Sequence, residues 1–105
     1  MERVIKLMAE YGGTVLWGVE ATDIGPINPD DLPLTAELKT ALQAWADVYD
    51  KTLNEGYPPD SGFASPAEEE AFELEGRRLW KELQAQLGPA YKVVYFSNRE
   101  SRLLE

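Results

Sequence analysis

The side chains in this sequence that could do chemistry are carboxylates and aromatic rings. Nineteen residues are acidic, and tryptophan, tyrosine and phenylalanine make up 10% of the chain, whereas histidine and cysteine do not occur. Their absence removes the usual general base at neutral pH, the commonest transition-metal ligand and thiolate chemistry. A Ser–His–Asp triad is excluded, and neither a Gly-x-Ser-x-Gly nor a Gly-x-x-x-x-Gly-Lys motif is present. We therefore predict no catalytic residue, no metal site and no cofactor, and the sequence favours a protein that is not an enzyme.

Four carboxylates stand out as candidates for a binding surface: Asp30, Asp31, Asp47 and Asp50. The Asp30-Asp31 pair resembles a calcium loop only superficially, because the ligand spacing and the late glutamate of an EF-hand are missing. A magnesium site built from these four side chains has no support from their spacing, and composition alone does not exclude a glycosidase-like pair of acids. A solvated turn and a polar helix face are the simpler interpretation.

The charge is unevenly distributed along the chain. The formal net charge is −9 at pH 7. Residues 20–75 hold fourteen acidic residues against two basic ones, a local charge of −12, whereas residues 76–105 hold six basic residues against three acidic ones, a local +3. Such a field repels nucleic acid and anionic membrane surfaces and would steer the protein towards a basic partner. The alternative is that the acidic residues serve solubility alone.

Three aromatic side chains on predicted strands, Trp17, Tyr91 and Tyr95, are the remaining candidates for binding. If they share the sheet face away from the helices, they form an aromatic patch suited to protein recognition. If they point inward, they belong to the core. Strand alternation does not say which face the helices cover, so both arrangements stay open. A platform for single-stranded nucleic acid would also need a basic groove, which the acidic charge argues against.

The elements that must position these residues can be read from the hydrophobic pattern. Alternation and turn residues predict two strands, at 3–9 and 14–20, joined as a hairpin by Gly12-Gly13. Prolines make 21–34 a loop. Thr35 caps a first helix of about five turns that ends near residues 54–56, and a second proline-rich loop covers 57–64.

The clearest local signal is the second helix and the strand after it. Ser65, Pro66 and Glu68 form a capping box with proline at the first helical position. Apolar and small residues then recur at spacings of three and four, which predicts one buried face: Phe72, Gly76, Leu79, Leu83 and Leu87. Gly88-Pro89 ends the helix, and residues 91–96 read as a β-branched and aromatic strand.

The predicted fold is therefore one α+β domain over residues 1–105, with the order β-β-α-α-β. A three-stranded sheet carries two antiparallel helices packed on one face, with strand order two, one, three. The sense of the third strand stays open. Because the chain lacks cysteines, a signal-peptide pattern and an apolar run of membrane-spanning length, we expect a cytoplasmic protein.

This pattern resembles a group of small, acidic, uncharacterised bacterial proteins of about 100 residues. The resemblance spans residues 4–96 and depends on Leu32-Pro33-Leu34, Leu42, Trp45, Tyr49-Asp50, Glu75-Gly76, Leu79, Leu87-Gly88 and Tyr91-x-Val93-x-Tyr95. It implies the α+β fold and carries over no catalytic residue. Some proteins of this size and acidity are immunity proteins encoded beside toxin genes, which suggests an immunity or inhibitor role by analogy.

The leading hypothesis is a non-catalytic interaction protein that binds another protein, with a basic partner favoured. The alternative is a small enzyme or ligand-binding domain that has a pocket lined by carboxylates and aromatic rings. A concave pocket whose acids have raised pKa values would support the alternative. An open surface with aromatic residues and an acidic rim would support the interaction protein.

Overall fold

Two helices cover one face of a mixed five-stranded sheet in the computed structural model, which describes residues 3–12, 14–21, 24–52, 63 and 65–105. Among these residues, the elements in chain order are β1 (Arg3–Leu7), β2 (Leu16–Gly18), β3 (Gly25–Pro26), a 3-10 turn (Pro29–Asp31), α1 (Ala36–Asp50), α2 (Pro66–Leu87), β4 (Tyr91–Ser97) and β5 (Arg102–Leu104). The strand order is β3-β2-β1-β4-β5. No described helix is both long enough and apolar enough to cross a membrane.

The three strands predicted from sequence lie in the predicted order, since β1 is flanked by β2 and β4. β1 pairs with β2 antiparallel and with β4 parallel, so the structure settles the sense that the sequence left open. A parallel pair needs a long crossover connection, and the segment between β1 and β4, which contains β2, β3 and both helices, provides one.

The prediction of three strands is wrong in its count, because β3 and β5 extend the sheet at both edges. β3 has only two residues, one of them Pro26, inside a stretch that we read as a continuous loop. β5 follows a tight turn that places Ser101 at φ 54°. Both strands are too short for an alternating pattern, and proline is tolerated in β3 because that strand is at the sheet edge.

The predicted two-residue hairpin turn is also wrong. Eight residues, 8–15, separate β1 from β2, although a backbone bond from Met8 N–H to Val15 O, 2.8 Å, continues the pairing. Gly12 has φ 105°, a conformation that favours glycine, and Gly13 lies outside the described residues. The antiparallel pairing was predicted correctly, but the connection is long enough to reach α1.

Both helices begin at the predicted caps. Thr35 Oγ accepts the Leu38 N–H at 3.2 Å, and Ser65 Oγ accepts the Glu68 N–H at 3.2 Å. α1 ends at Asp50, before the predicted end at residues 54–56, which lies outside the described residues. α2 ends at Leu87 as predicted, and its predicted stripe is buried.

The helices are antiparallel, as predicted. The start of α1 meets the end of α2, because the Thr35 N–H bonds to Gln86 Oε1 at 2.9 Å. Near the other end, the Trp45 ring stacks on Phe72 with centroids 4.5 Å apart. Their apolar faces meet the inward side chains of the sheet in one core, which includes Ile5 and Leu7.

A buried carboxylate joins α2 to β4 beneath this core. Glu73, only 5% exposed, accepts hydrogen bonds from the Tyr95 hydroxyl at 3.2 Å and from Ser97 Oγ at 2.8 Å. The Arg77 guanidinium supplies the opposite charge at 3.0 Å. Burial and the neighbouring Glu73 raise the pKa of Tyr95 far above its usual value, so this hydroxyl stays a hydrogen-bond donor. The network therefore has a structural role.

Candidate protein-binding surface

The structure separates the three aromatic residues that we considered as one patch. Tyr91 and Tyr95 pair with Arg3 and Leu7 on the helix-covered face, and Tyr95 is 1% exposed. Trp17 pairs with Lys6 and therefore points to the opposite face. The arrangement with all three on the open face is thus wrong, and the inward alternative holds for the two tyrosines alone.

The face of the sheet away from the helices is apolar with two lysines. It carries Trp17, Lys6 and, by register on β4 and β5, Lys92, Val94, Phe96 and Leu103. Leu103 is 48% exposed, whereas Val94 in the middle of the face is 2% exposed. Trp17 is held in place by a bond from its Nε1 to Met8 O at 2.9 Å. The candidate acids lie elsewhere, because Asp30, Asp31, Asp47 and Asp50 all belong to α1 or to the turn before it.

The four candidate acids form two pairs at the two ends of α1. Asp30 and Asp31 are exposed in the 3-10 turn, where Asn28 Oδ1 caps the Asp30 N–H at 3.0 Å. Lys39, in the second turn of α1, contacts Asp30 at 3.3 Å. Asp50 lies eleven residues after Lys39, about 16 Å along a helix. The acids therefore do not converge on one point, as a metal site would need, and among the described residues no cluster with metal-ligating potential is found.

Asp47 and Asp50 lie one helical turn apart at the end of α1, beside the connection between β1 and β2. Asp50 Oδ1 accepts the Gly12 N–H at 3.1 Å, and Asp47 Oδ1 accepts Gln43 Nε2 at 3.0 Å. Each carboxylate keeps a second oxygen that these bonds do not use. The backbone bond to Gly12 anchors the connection to the helix, so this group of acids has a fixed position relative to its neighbours.

Two tyrosines complete this end of the molecule. The Tyr11 ring stacks on the Tyr49 ring with centroids 4.7 Å apart and planes 27° from parallel, and the Tyr11 hydroxyl is 3.2 Å from Thr52 Oγ. Tyr11 is still 40% exposed. Burial raises the pKa of Tyr49, with smaller contributions from Tyr11 and the nearby carboxylate of Glu10. We call the set Glu10, Tyr11, Asp47, Tyr49 and Asp50 the tyrosine–carboxylate corner.

Sequence reasoning missed this corner. It identified Asp47 and Asp50 as candidate acids but did not group them with Tyr11 and Tyr49. The available signal was an acidic residue and an aromatic one, Glu10-Tyr11, directly after a strand. That signal does not show that Tyr11 contacts Tyr49, because the two residues are 38 positions apart and their contact depends on the unexpectedly long β1–β2 connection.

A groove continues from the corner along the same flank of α1. It has a volume of about 380 Å³ and lies between α1 and the ends of β2 and β3, where Leu42, Val15 and Ile27 form its apolar floor. Lys39 and Gln43 stand on its α1 side, and they are the residues that contact Asp30 and Asp47. The groove thus links the two pairs of candidate acids along one surface.

A second concavity lies between the two helices. It has a volume of about 590 Å³ and includes the rings of Trp45, Phe63 and Phe72, with Glu68 and Glu75 among its lining residues. These are the side chains that the ligand-binding alternative requires. However, a hydrogen bond from Arg78 lowers the pKa of Glu75, which is the opposite of the raised pKa expected for a proton-transferring acid.

Comparison with known families gives one finding. A family model described as "Serratia CdiI immunity protein-like" matches residues 3–98. The matched region contains α1, α2, the strands β1 to β4, the tyrosine–carboxylate corner and the groove. No curated protein matches the chain.

Proposed function

Because the chain belongs to the Serratia CdiI immunity protein-like family, we propose that it is a cytoplasmic immunity protein. It binds a toxin protein and neutralises it without catalysing a reaction. The family match carries the proposal, because it spans both helices and four of the five strands. The absence of cysteine is consistent with a reducing compartment.

We further propose that the toxin surface is basic. Support comes from the flank of α1, where Asp30 and Asp47 contact Lys39 and Gln43, two residues that line a groove with an apolar floor. A surface that joins apolar contacts and carboxylates suits a partner with Lys or Arg side chains. The same charge would speed encounter with such a partner through long-range attraction.

The test of the immunity function begins with capture of the tagged protein's partner from native cells and its identification by mass spectrometry. The captured protein is then expressed alone and together with this chain. We expect growth arrest when it is expressed alone and restored growth with equimolar immunity protein. A captured partner that does not arrest growth, or arrest that this chain does not relieve, would contradict the proposal.

The test of the basic partner uses association kinetics with the captured toxin. Asp31→Lys combined with Asp47→Lys should slow association strongly at low salt and change dissociation much less, because rim charges act mainly on encounter. The difference should shrink with salt, since the Debye length falls from about 10 Å at 0.1 M to about 3 Å at 1 M. Glu70→Lys combined with Glu82→Lys, at two exposed positions on α2, is the matched control because it changes the net charge by the same amount. An association rate that is indifferent to both the reversal and salt would show that the acidic region serves solubility.

A further inference from the structure

The tyrosine–carboxylate corner differs from the other exposed parts of the described surface in its combination of groups. It presents the partly exposed ring of Tyr11 near two carboxylates: Glu10, which precedes Tyr11 in the chain and acts electrostatically on Tyr49, and Asp50, which accepts the Gly12 N–H. Trp17, the half-buried aromatic residue on the open sheet face, shares that face with Lys6 and Lys92 instead. Since Lys92 is itself paired with Glu105 at 2.8 Å, the open sheet face has little net charge, whereas the corner shares the acidic character of the chain.

The Tyr11 ring is fixed in place before any partner arrives. One of its faces is occupied by Tyr49, its hydroxyl is 3.2 Å from Thr52 Oγ, and the following residue is tied to Asp50. Tyr49 in turn packs against Phe72 in the core, with ring centroids 5.7 Å apart. A ring held in this way loses little conformational entropy on binding, which is typical of residues that dominate interface energetics.

We infer that the tyrosine–carboxylate corner is the anchor of the toxin interface and that it binds an arginine side chain of the toxin. A guanidinium group is planar, so it can lie flat on the exposed face of Tyr11. Its N–H groups can at the same time donate to Glu10 and to the Asp50 oxygen that does not accept the Gly12 N–H. A lysine ammonium would satisfy the charge but not the planar stacking. This inference rests on the proposed immunity function and adds the position and the chemistry of contact.

The first experiment does not depend on the toxin. The probe is N-acetyl-arginine methylamide, titrated into the labelled protein and followed by amide and aromatic NMR shifts. We expect shifts at Tyr11, Gly12 and Asp50 with weak affinity. The neutral isostere N-acetyl-citrulline methylamide should produce no shifts, and the lysine analogue smaller ones. Shifts of equal size at the remote acid Asp31, or no shifts at the corner, would overturn the inference.

The second experiment uses the captured toxin and three single substitutions. Tyr11→Leu keeps apolar volume but removes the aromatic face, so affinity should fall about tenfold or more. Tyr11→Phe keeps the ring and should stay within about threefold of the parent affinity. Trp17→Leu makes a similar change on the open sheet face and should leave affinity unchanged.

These outcomes separate the two proposals. If the toxin is neutralised and Tyr11→Leu binds as tightly as the parent, the immunity function stands and the anchor is wrong. If Trp17→Leu weakens binding and Tyr11→Leu does not, the interface lies on the open sheet face. If no toxin is captured, the immunity function fails, and the arginine titration still decides whether the corner recognises a guanidinium group. Equal unfolding midpoints for the three variants exclude misfolding as the cause of any change.

Discussion

Replacing Gly76 with alanine tests how closely α2 approaches the rings of Tyr95 and Trp45. Gly76 lies on the buried stripe of α2, where glycine costs about 1 kcal/mol relative to alanine in a free helix. A Cβ atom at this position would be 2.5 Å from the Tyr95 hydroxyl oxygen and 2.7 Å from Trp45 Cζ2. Both distances are too short for carbon, so one of the two rings or α2 itself must move.

Neither ring can move at low cost. The Trp45 ring is 3% exposed and its Nε1 donates to Phe72 O at 3.0 Å. The Tyr95 hydroxyl donates to the buried Glu73, and displacing it would weaken a satisfied network. Overpacking of this kind costs about 1–3 kcal/mol. Since two anchored rings are involved, we take the upper part of that range and subtract the helix-propensity gain of about 1 kcal/mol. The expected net destabilisation is about 1–2 kcal/mol.

Urea unfolding monitored by tryptophan fluorescence measures this change as a lower midpoint at constant slope. Ala85→Gly, at an exposed position of the same helix, measures the propensity term on its own. Adding Tyr95→Phe removes the atom closest to the new methyl group, so the cost of Gly76→Ala should become smaller in that background. Increased stability of Gly76→Ala in the parent protein would show that α2 does not approach the sheet closely, and the packing described here would be wrong.

Three further changes test other parts of the fold. Leu79→Ala, at a fully buried position, should lower the free energy of unfolding in urea by about 2–5 kcal/mol. Leu74→Ala, at a position that is 61% exposed, should change it by no more than about 0.5 kcal/mol. Equal losses would show that the buried face of α2 is assigned incorrectly. The pKa of Tyr95 is raised in the folded state above its ordinary 10.0, so the unfolded chain loses this hydroxyl proton at a lower pH than the folded protein does. The free energy of unfolding should therefore fall above about pH 10, by up to about 1.4 kcal/mol per pH unit. Tyr95→Phe should flatten that slope, and an unchanged slope would exclude Tyr95 as its source. Ser101→Asn should raise the free energy of unfolding by up to about 1 kcal/mol, because asparagine tolerates the φ of 54° better than serine. A loss of stability would mean that the serine side chain is needed in the turn.

The parts of the fold that were predictable are those encoded by local pattern. The caps Thr35 and Ser65 and the buried stripe of α2 follow from residues a few positions apart, and the structure confirms them. The order of the three predicted strands was also correct. By contrast, β3 consists of a glycine and a proline, and β5 is Arg102–Leu104, so neither shows the alternation of polar and apolar residues that would reveal a strand.

The candidate site was less predictable because it depends on long-range contacts. Strand alternation shows which residues share a face with Trp17 on its strand and with Tyr95 on its strand. Whether Trp17 and Tyr95 lie on the same face of the sheet depends on the register between the strands, which alternation does not give. The acids were recognised as exposed, yet their grouping with Tyr11 depends on where the β1–β2 connection crosses α1. A single sequence contains no signal for that crossing.

Tyr11 lies at one end of a continuous series of aromatic contacts. This position explains how its ring can be both exposed and fixed. The series runs from Tyr11 to Tyr49, from there to Phe72, and through Trp45 to Tyr95 on the central pair of strands. In our proposal, the acidic flank of α1 sets how fast a basic toxin is encountered, and the fixed ring sets how slowly it leaves. Substitutions at Asp31 and Asp47 should therefore change association and its salt dependence, whereas substitutions that loosen the ring or remove Asp50, which contacts the guanidinium in our proposal, should change dissociation at every salt concentration. Because the two effects are measured separately, the assignment of each role can be refuted on its own.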